Sequence, residues 1–145
     1  MLTVQKKAIK WTGFLRRSNH SGHLIGVAEL VDYNGITMPG LTLQIELKEH
    51  LTAVRCLYIL SIMKLVKGQR KRIYQLEVAP KNKRTHNGKD AVIYGSHEHD
   101  GENVVAIDDV TCDNFPDAVA WFFKRTNIVP FQIENPLKDA ELQLG

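Results

Sequence analysis

The sequence contains little cysteine and no long hydrophobic run, and each shortage excludes a class of protein. Two cysteines, Cys56 and Cys112, are too few for the disulfide framework of a small secreted domain, and the apolar surroundings of Cys56 suit an ordinary buried thiol. The longest apolar run, CLYILSIM, is much shorter than the ~18–20 residues of a membrane-spanning helix. The first residues, MLTVQKKAIKW, lack an apolar core followed by a cleavage site, so we expect no export signal. A cytoplasmic protein with no membrane partner is therefore predicted.

Length and composition indicate a single domain. The 145 residues are 43% apolar and 24% charged, as expected of a globular chain that can build one core. We expect the packed core to span about residues 11–133 and the tail, residues 134–145, to be loosely ordered.

Alternating apolar and polar side chains predict β-strands over most of the chain. In LTLQIEL (41–47) the apolar residues share one face, and Asn34-Gly35 just before it is a strong hairpin signal. VRCLYILSIM is predicted to be a central strand and RKRIYQLEV its antiparallel partner. AVIYG is predicted to run straight on into His97-Glu98-His99, and NVVAI to return beside it.

The pattern changes to helical spacing near the carboxyl end. In DNFPDAVAWFFKRTN, Asn114 can cap a helix, Pro116 suits its first turn and Asn127 can end it. An apolar stripe at helical spacing consists of Phe115, Ala118, Val119 and Phe122. The sequence therefore predicts an α+β fold, a mostly antiparallel sheet of about six strands with a C-terminal helix packed on one face.

Positive charge is concentrated in the middle of the chain. Between Lys64 and Lys89 there are nine basic residues, and Glu77 is the only acidic one, so this segment carries +8 while the whole chain carries +3. Such asymmetry favours contact with RNA, another polyanion or an acidic protein. The candidate nucleic-acid-binding residues are Arg70, Lys71, Lys81, Lys83 and Lys89.

His97 and His99 are the candidate catalytic pair. Residues two apart in a strand point to the same face, about 7 Å apart, whereas Glu98 points to the other. Metal-free cleavage of RNA needs a base, an acid and positive charge on the phosphate. The two histidines would exchange protons, Arg84 would hold the phosphate and His86 would assist, with no cofactor. This hypothesis expects Arg84 or His86 within about 10 Å of His97 or His99, on a concave, solvent-open surface beside the C-terminal helix.

Three other interpretations of this segment stay open. His97 and His99 could share a metal ion with His86, Cys112 or a carboxylate, although no zinc motif of fixed spacing is present. The basic face could bind a polyanion or an acidic protein without chemistry, as a monomer or as a homo-oligomer. The histidines could also simply end a strand at the surface, where histidine is common.

One stretch of the chain resembles a protein family. YGSHEHDGENVVAIDD, followed by DNFPDAVAWFFKRTNIVPFQIENP, is similar to small phage-borne and defence-island proteins in which a strand with a His-x-His element precedes a turn, a strand and an aromatic helix. The matching residues are His97, His99, Trp121, Phe122, Asn127 and Ile128. The arrangement is also similar to TumE-like toxin subunits of toxin–antitoxin modules. The resemblance, over roughly residues 70–135, implies an intracellular effector that acts on RNA and has an antitoxin-like partner.

Overall fold

The structure is a computed structural model. It describes residues 2–19, 22–48, 56–88, 92–111 and 114–136, which form a main β-sheet, a two-stranded hairpin and one helix. The elements in chain order are β1 (Lys6–Ile9), β2 (Leu15–Arg16), β3 (His23–Asp32), β4 (Thr37–Lys48), β5 (Tyr58–Val66), β6 (Gln69–Val78), β7 (Arg84–Asn87), β8 (Val92–Tyr94), β9 (His97–Asp100), β10 (Asn103–Ala106) and α1 (Phe115–Thr126). Paired strands run antiparallel throughout these ranges.

The main sheet has eight strands, in the order β1-β3-β4-β5-β6-β9-β10 with β2 also paired to β3. β7 and β8 form a separate two-stranded hairpin. The α+β class and the antiparallel sheet are thus confirmed, and the predicted six strands come close to the eight observed. The predicted run of AVIYG into His97 is wrong, because the chain turns at Gly95 (φ 82°) and β9 leaves β8 to pair with β6.

The helix α1 has the ends that the sequence predicted. Asn114 Oδ1 accepts a hydrogen bond from the backbone N–H of Asp117 (3.2 Å), and Asn127 adopts the left-handed conformation that ends the helix. The apolar stripe of α1 packs on one face of the main sheet, where the rings of Tyr74 and Phe122 lie 5.9 Å apart. The side chains buried in this layer include Leu43, Ile45, Leu60, Ile62, Leu76, Phe115, Ala118 and Phe123. We call this side of the sheet the helix face and the opposite side the outer face.

The packed core extends further towards the amino terminus than residue 11, where the sequence analysis began it. β1 pairs with β3, and the side chain of Lys6 is fully buried. Lys6 Nζ donates to the carbonyl oxygens of Val4 and Thr126, both at 2.6 Å, so the lysine ties the amino-terminal segment to the last turn of α1. Burial lowers the pKa of Lys6 to about 8.

The two cysteines and the predicted tail differ in how far the structure tests the expectations about them. Cys56 is disulfide-bonded, so the prediction of an ordinary buried thiol is wrong, and cysteine usage no longer favours a reducing compartment. Cys112 and residues 137–145 of the predicted tail lie outside the described residues. In the part of the chain that is described, no helix has the length and apolar character needed to span a bilayer.

Candidate three-histidine site

The pairing of β9 with β6 decides which way the histidines point. Glu98 lies opposite Leu76, a core residue, so its carboxylate is on the helix face. There it accepts a hydrogen bond from the Tyr74 hydroxyl (2.6 Å). Because side chains alternate along a strand, His97 and His99 point to the outer face. The expectation that they lie beside the C-terminal helix is therefore wrong, since α1 packs on the opposite side of the sheet.

The hairpin of β7 and β8 brings a third histidine to the outer face. Arg84 pairs with Tyr94, but His86 pairs with Ile93, so β7 has one extra residue, Thr85, at this point. A β-bulge of this kind changes the direction of the side chains around it. As a result two consecutive side chains, those of Thr85 and His86, both contact the His97 ring.

The rings of His86, His97 and His99 form a compact cluster. The ring centroids of His97 and His99 are 4.8 Å apart. The ring centroid of His86 lies 5.9 Å from that of His97 and 5.6 Å from that of His99. The Nε2 atoms of His97 and His99 are 3.0 Å apart, a hydrogen-bonding distance. One ring nitrogen from each of the three residues lies within 4.8 Å of the other two. The prediction that Arg84 or His86 lies within about 10 Å of the histidine pair is thus confirmed for His86.

The other ring nitrogen of His97 has its own partners. Nδ1 lies 3.1 Å from the Thr85 hydroxyl oxygen and 3.8 Å from Glu77 Oε2. Glu77 occupies this position because it is the β6 residue directly opposite His97. Metal-binding histidines usually donate the N–H that does not face the ion to a carboxylate, a backbone carbonyl or water. Here the Thr85 hydroxyl oxygen is the acceptor at that position, with the Glu77 carboxylate behind it.

Burial keeps the histidine pair neutral. His97 is only 2% exposed, and burial lowers its pKa below the usual value, although the Glu77 carboxylate partly opposes the shift. Burial, followed by the positive charge of Arg72, lowers the pKa of His99 to about 4. Both rings therefore carry no charge near pH 7, and a neutral imidazole has a free lone pair for an ion.

A glycine makes room for the His86 ring. A Cβ atom at Gly88 would lie 2.7 Å from His86 Nε2, closer than van der Waals contact allows. The His86 ring therefore lies against the backbone of Gly88. A larger residue at position 88 would displace the ring. Gly95 leaves no comparable space, because the Lys81 backbone lies 3.2 Å from where a Cβ of Gly95 would be.

The other predicted site residues that the structure describes are exposed at the surface. Arg84 is exposed, and among the described residues no hydrogen bond or ring contact joins it to the three histidines. Arg70, Lys71, Lys81 and Lys83 are also exposed, and Lys89 lies outside the described residues. Sequence reasoning missed Thr85, Glu77 and Arg72 as neighbours of the cluster. The alternation of β6 could have suggested Glu77, whereas a bulge at Thr85 has no periodic signal.

Comparison with known proteins reveals no relative, since no family model, curated protein or solved structure matches this chain. The resemblance to TumE-like toxin subunits therefore stays a prediction, and function has to be argued from the site itself.

The lowered pKa of His99 predicts how stability depends on pH. The unfolded chain takes up a proton on this ring below about pH 6.5, whereas the folded protein leaves it neutral down to about pH 4. In chelator, the free energy of unfolding should fall as the pH is lowered through this window. Urea unfolding at several pH values measures the slope, and His99→Gln should make it shallower. Equal slopes in the two proteins would contradict a buried, neutral His99.

Proposed function

We propose that this protein binds a divalent transition-metal ion, best represented by Zn²⁺, through His86, His97 and His99. The observation that carries the proposal is the convergence of three imidazole nitrogens within 4.8 Å on one face of the sheet. Solvated histidines have no reason to gather in this way, because each would keep its own water shell.

The distances are close to those that an ion requires. Two nitrogens bound to a tetrahedral Zn²⁺ at about 2.0–2.1 Å are roughly 3.3–3.4 Å apart. The Nε2 atoms of His97 and His99, 3.0 Å apart, need to separate by only a few tenths of an ångström. The donor nitrogen of His86 has to move inwards by about 1–1.5 Å at most. A hairpin outside the main sheet can make such a movement more easily than a central strand can.

The ligand chemistry selects the class of ion. Three imidazole nitrogens suit Zn²⁺, Cu²⁺, Ni²⁺ and Co²⁺, whereas Mg²⁺ and Ca²⁺ prefer carboxylate, carbonyl and water oxygens. Because burial keeps His97 and His99 neutral, an ion does not have to displace protons from charged rings near pH 7. The close Nε2 contact also argues against metal-free cleavage by this pair, since an acid and a base must stand on either side of a phosphate.

Titration of the metal-stripped protein with Zn²⁺ and Co²⁺, followed by calorimetry and visible absorption, tests the proposal. We expect one ion per chain and the intense bands of four-coordinate Co²⁺. His86→Ala and His99→Ala should each weaken binding by at least about 100-fold, since loss of a direct ligand exceeds the ~10–100-fold effect of a supporting group.

Arg84→Ala provides the matched control, because Arg84 is exposed on the same strand two residues before His86. It should bind both ions as the unaltered protein does. Absence of binding, or a His86→Ala variant that binds normally, would contradict the proposal.

A second candidate function is the binding of RNA or another polyanion. It is favoured by the exposure of Lys67, Arg70 and Lys71 around the turn between β5 and β6. These three cations lie within five residues of one another at one end of the sheet. Phosphate contacts by such residues release counterions and make binding sensitive to salt.

Fluorescence anisotropy with labelled single-stranded RNA at about 50 and 200 mM salt measures this second function. Arg70→Gln with Lys71→Gln should weaken binding and lower the salt dependence by about two charges. Lys10→Gln, which neutralises an exposed cation paired with Glu29, serves as the control. RNA binding with the same affinity at both salt concentrations would contradict this second function. Cleavage of the RNA in chelator would instead favour His97 and His99 as a metal-free acid–base pair.

A further inference from the structure

Thr85 lies between two groups whose chemistry fixes the position of its hydrogen. Its Oγ1 is 2.6 Å from the carbonyl oxygen of Gly95 and 3.1 Å from Nδ1 of His97. A carbonyl oxygen can only accept a hydrogen bond, so the hydroxyl donates its single hydrogen to Gly95. The hydroxyl oxygen then has only lone pairs to offer to His97.

The hydrogen position on the His97 ring follows from this arrangement. Because the Thr85 oxygen can only accept, the hydrogen bond at 3.1 Å requires a hydrogen on His97 Nδ1. A neutral imidazole has one such hydrogen, so Nε2 of His97 has none. Its lone pair points at His99 Nε2, 3.0 Å away, which must supply the hydrogen of that bond in the metal-free protein. When an ion binds, the neutral His99 ring has to carry its hydrogen on Nδ1 instead, so that its Nε2 lone pair also faces the ion.

We propose that Thr85 is a positioning residue for the metal site, which holds His97 in the Nδ1–H tautomer so that Nε2 faces the ion. This inference rests on the proposed metal-binding function. It also assigns a role to the bulge in β7. The extra residue lets one short strand supply a ligand, His86, and the hydroxyl that orients another ligand.

The neighbours of His97 Nδ1 are consistent with Thr85 in this role. Glu77 Oε2, at 3.8 Å, is too distant for a hydrogen bond and acts on the ring through its charge. The Gly95 backbone also raises the pKa of His97, and its carbonyl oxygen accepts from the Thr85 hydroxyl at 2.6 Å. Removal of the Thr85 hydroxyl would therefore remove the acceptor that lies 3.1 Å from Nδ1 and the donor that holds this carbonyl in place.

The tautomer can be measured directly, without an ion. Long-range ¹H–¹⁵N correlation spectra of the metal-free protein, labelled at histidine, report which ring nitrogen carries the hydrogen. We expect His97 to be the Nδ1–H tautomer in the unaltered protein and in Thr85→Ser, which keeps the hydroxyl. Thr85→Val, which keeps the shape but loses the hydroxyl, should give a mixture of tautomers.

Zn²⁺ affinity provides the second readout. Loss of a group that orients a ligand typically costs about 10–100-fold in affinity, so Thr85→Val should fall in this range and Thr85→Ser should recover most of the loss. A purely structural role for Thr85 would lower stability without changing the His97 tautomer.

The outcomes separate this inference from the metal proposal. An Nε2–H tautomer of His97 in the unaltered protein would overturn the role of Thr85 even if Zn²⁺ binds. This measurement uses the unaltered protein alone, so it does not require any variant to fold. A tautomer and an affinity that are both unchanged in folded Thr85→Val would overturn it too. If no protein binds Zn²⁺ but the tautomer changes as expected, Thr85 orients His97 and the metal-binding function is what fails.

Discussion

The antiparallel pairing of β9 with β6 is the constraint on which the site depends. A slip of one residue would turn His97 and His99 towards the helix and Glu98 outwards. The polar network on the helix face resists that slip, because the buried Glu98 carboxylate accepts hydrogen bonds from Tyr74 and Arg125. A buried carboxylate that loses its partners costs several kcal/mol, roughly the cost of an uncompensated buried charge. Contacts on one side of the sheet therefore fix the histidines on the other.

Charge is distributed around the cluster more favourably for an ion than the sequence suggests. The most basic segment of the chain, Lys64–Lys89, contains His86 and ends shortly before His97 and His99, which argues against a bound cation. In the structure, however, Lys81, Lys83 and Arg84 are exposed to solvent, where water screens them. Arg72 acts on the histidines, but its guanidinium donates to Gln75 (2.8 Å).

Glu77 supplies the opposing negative charge next to His97. Together these positions place two neutral histidines, His97 and His99, beside His86 within a basic surface. Such a cluster is better suited to hold an ion than to pass protons, because both histidines resist protonation.

The fold and part of the site could be predicted from the sequence because their signals are local. The alternation in β4 and the caps of α1 at Asn114 and Asn127 are properties of short segments, and both predictions are confirmed. The proximity of His86 to His97 followed from the short connection between them. By contrast, the partner of β9 and the burial of Lys6 depend on contacts between segments distant in the chain.

The bulge at Thr85 was unpredictable for a related reason. One inserted residue breaks the two-residue period on which the prediction of side-chain direction rests. Without it, Thr85 and His86 would point to opposite sides of β7, and only one of them would reach His97. The sequence shows which residue types are present in the site, whereas their arrangement depends on the bulge in β7.

The most direct measurement of the central claim is X-ray absorption at the zinc edge of the full chain loaded with one equivalent of Zn²⁺. Three imidazole nitrogens as ligands predict a first shell of nitrogen at about 2.0–2.1 Å, with the outer-shell scattering that histidine rings produce. His86→Ala should lose one imidazole from that pattern. A first shell dominated by sulfur at about 2.3 Å, or by oxygen without ring scattering, would contradict a three-histidine centre.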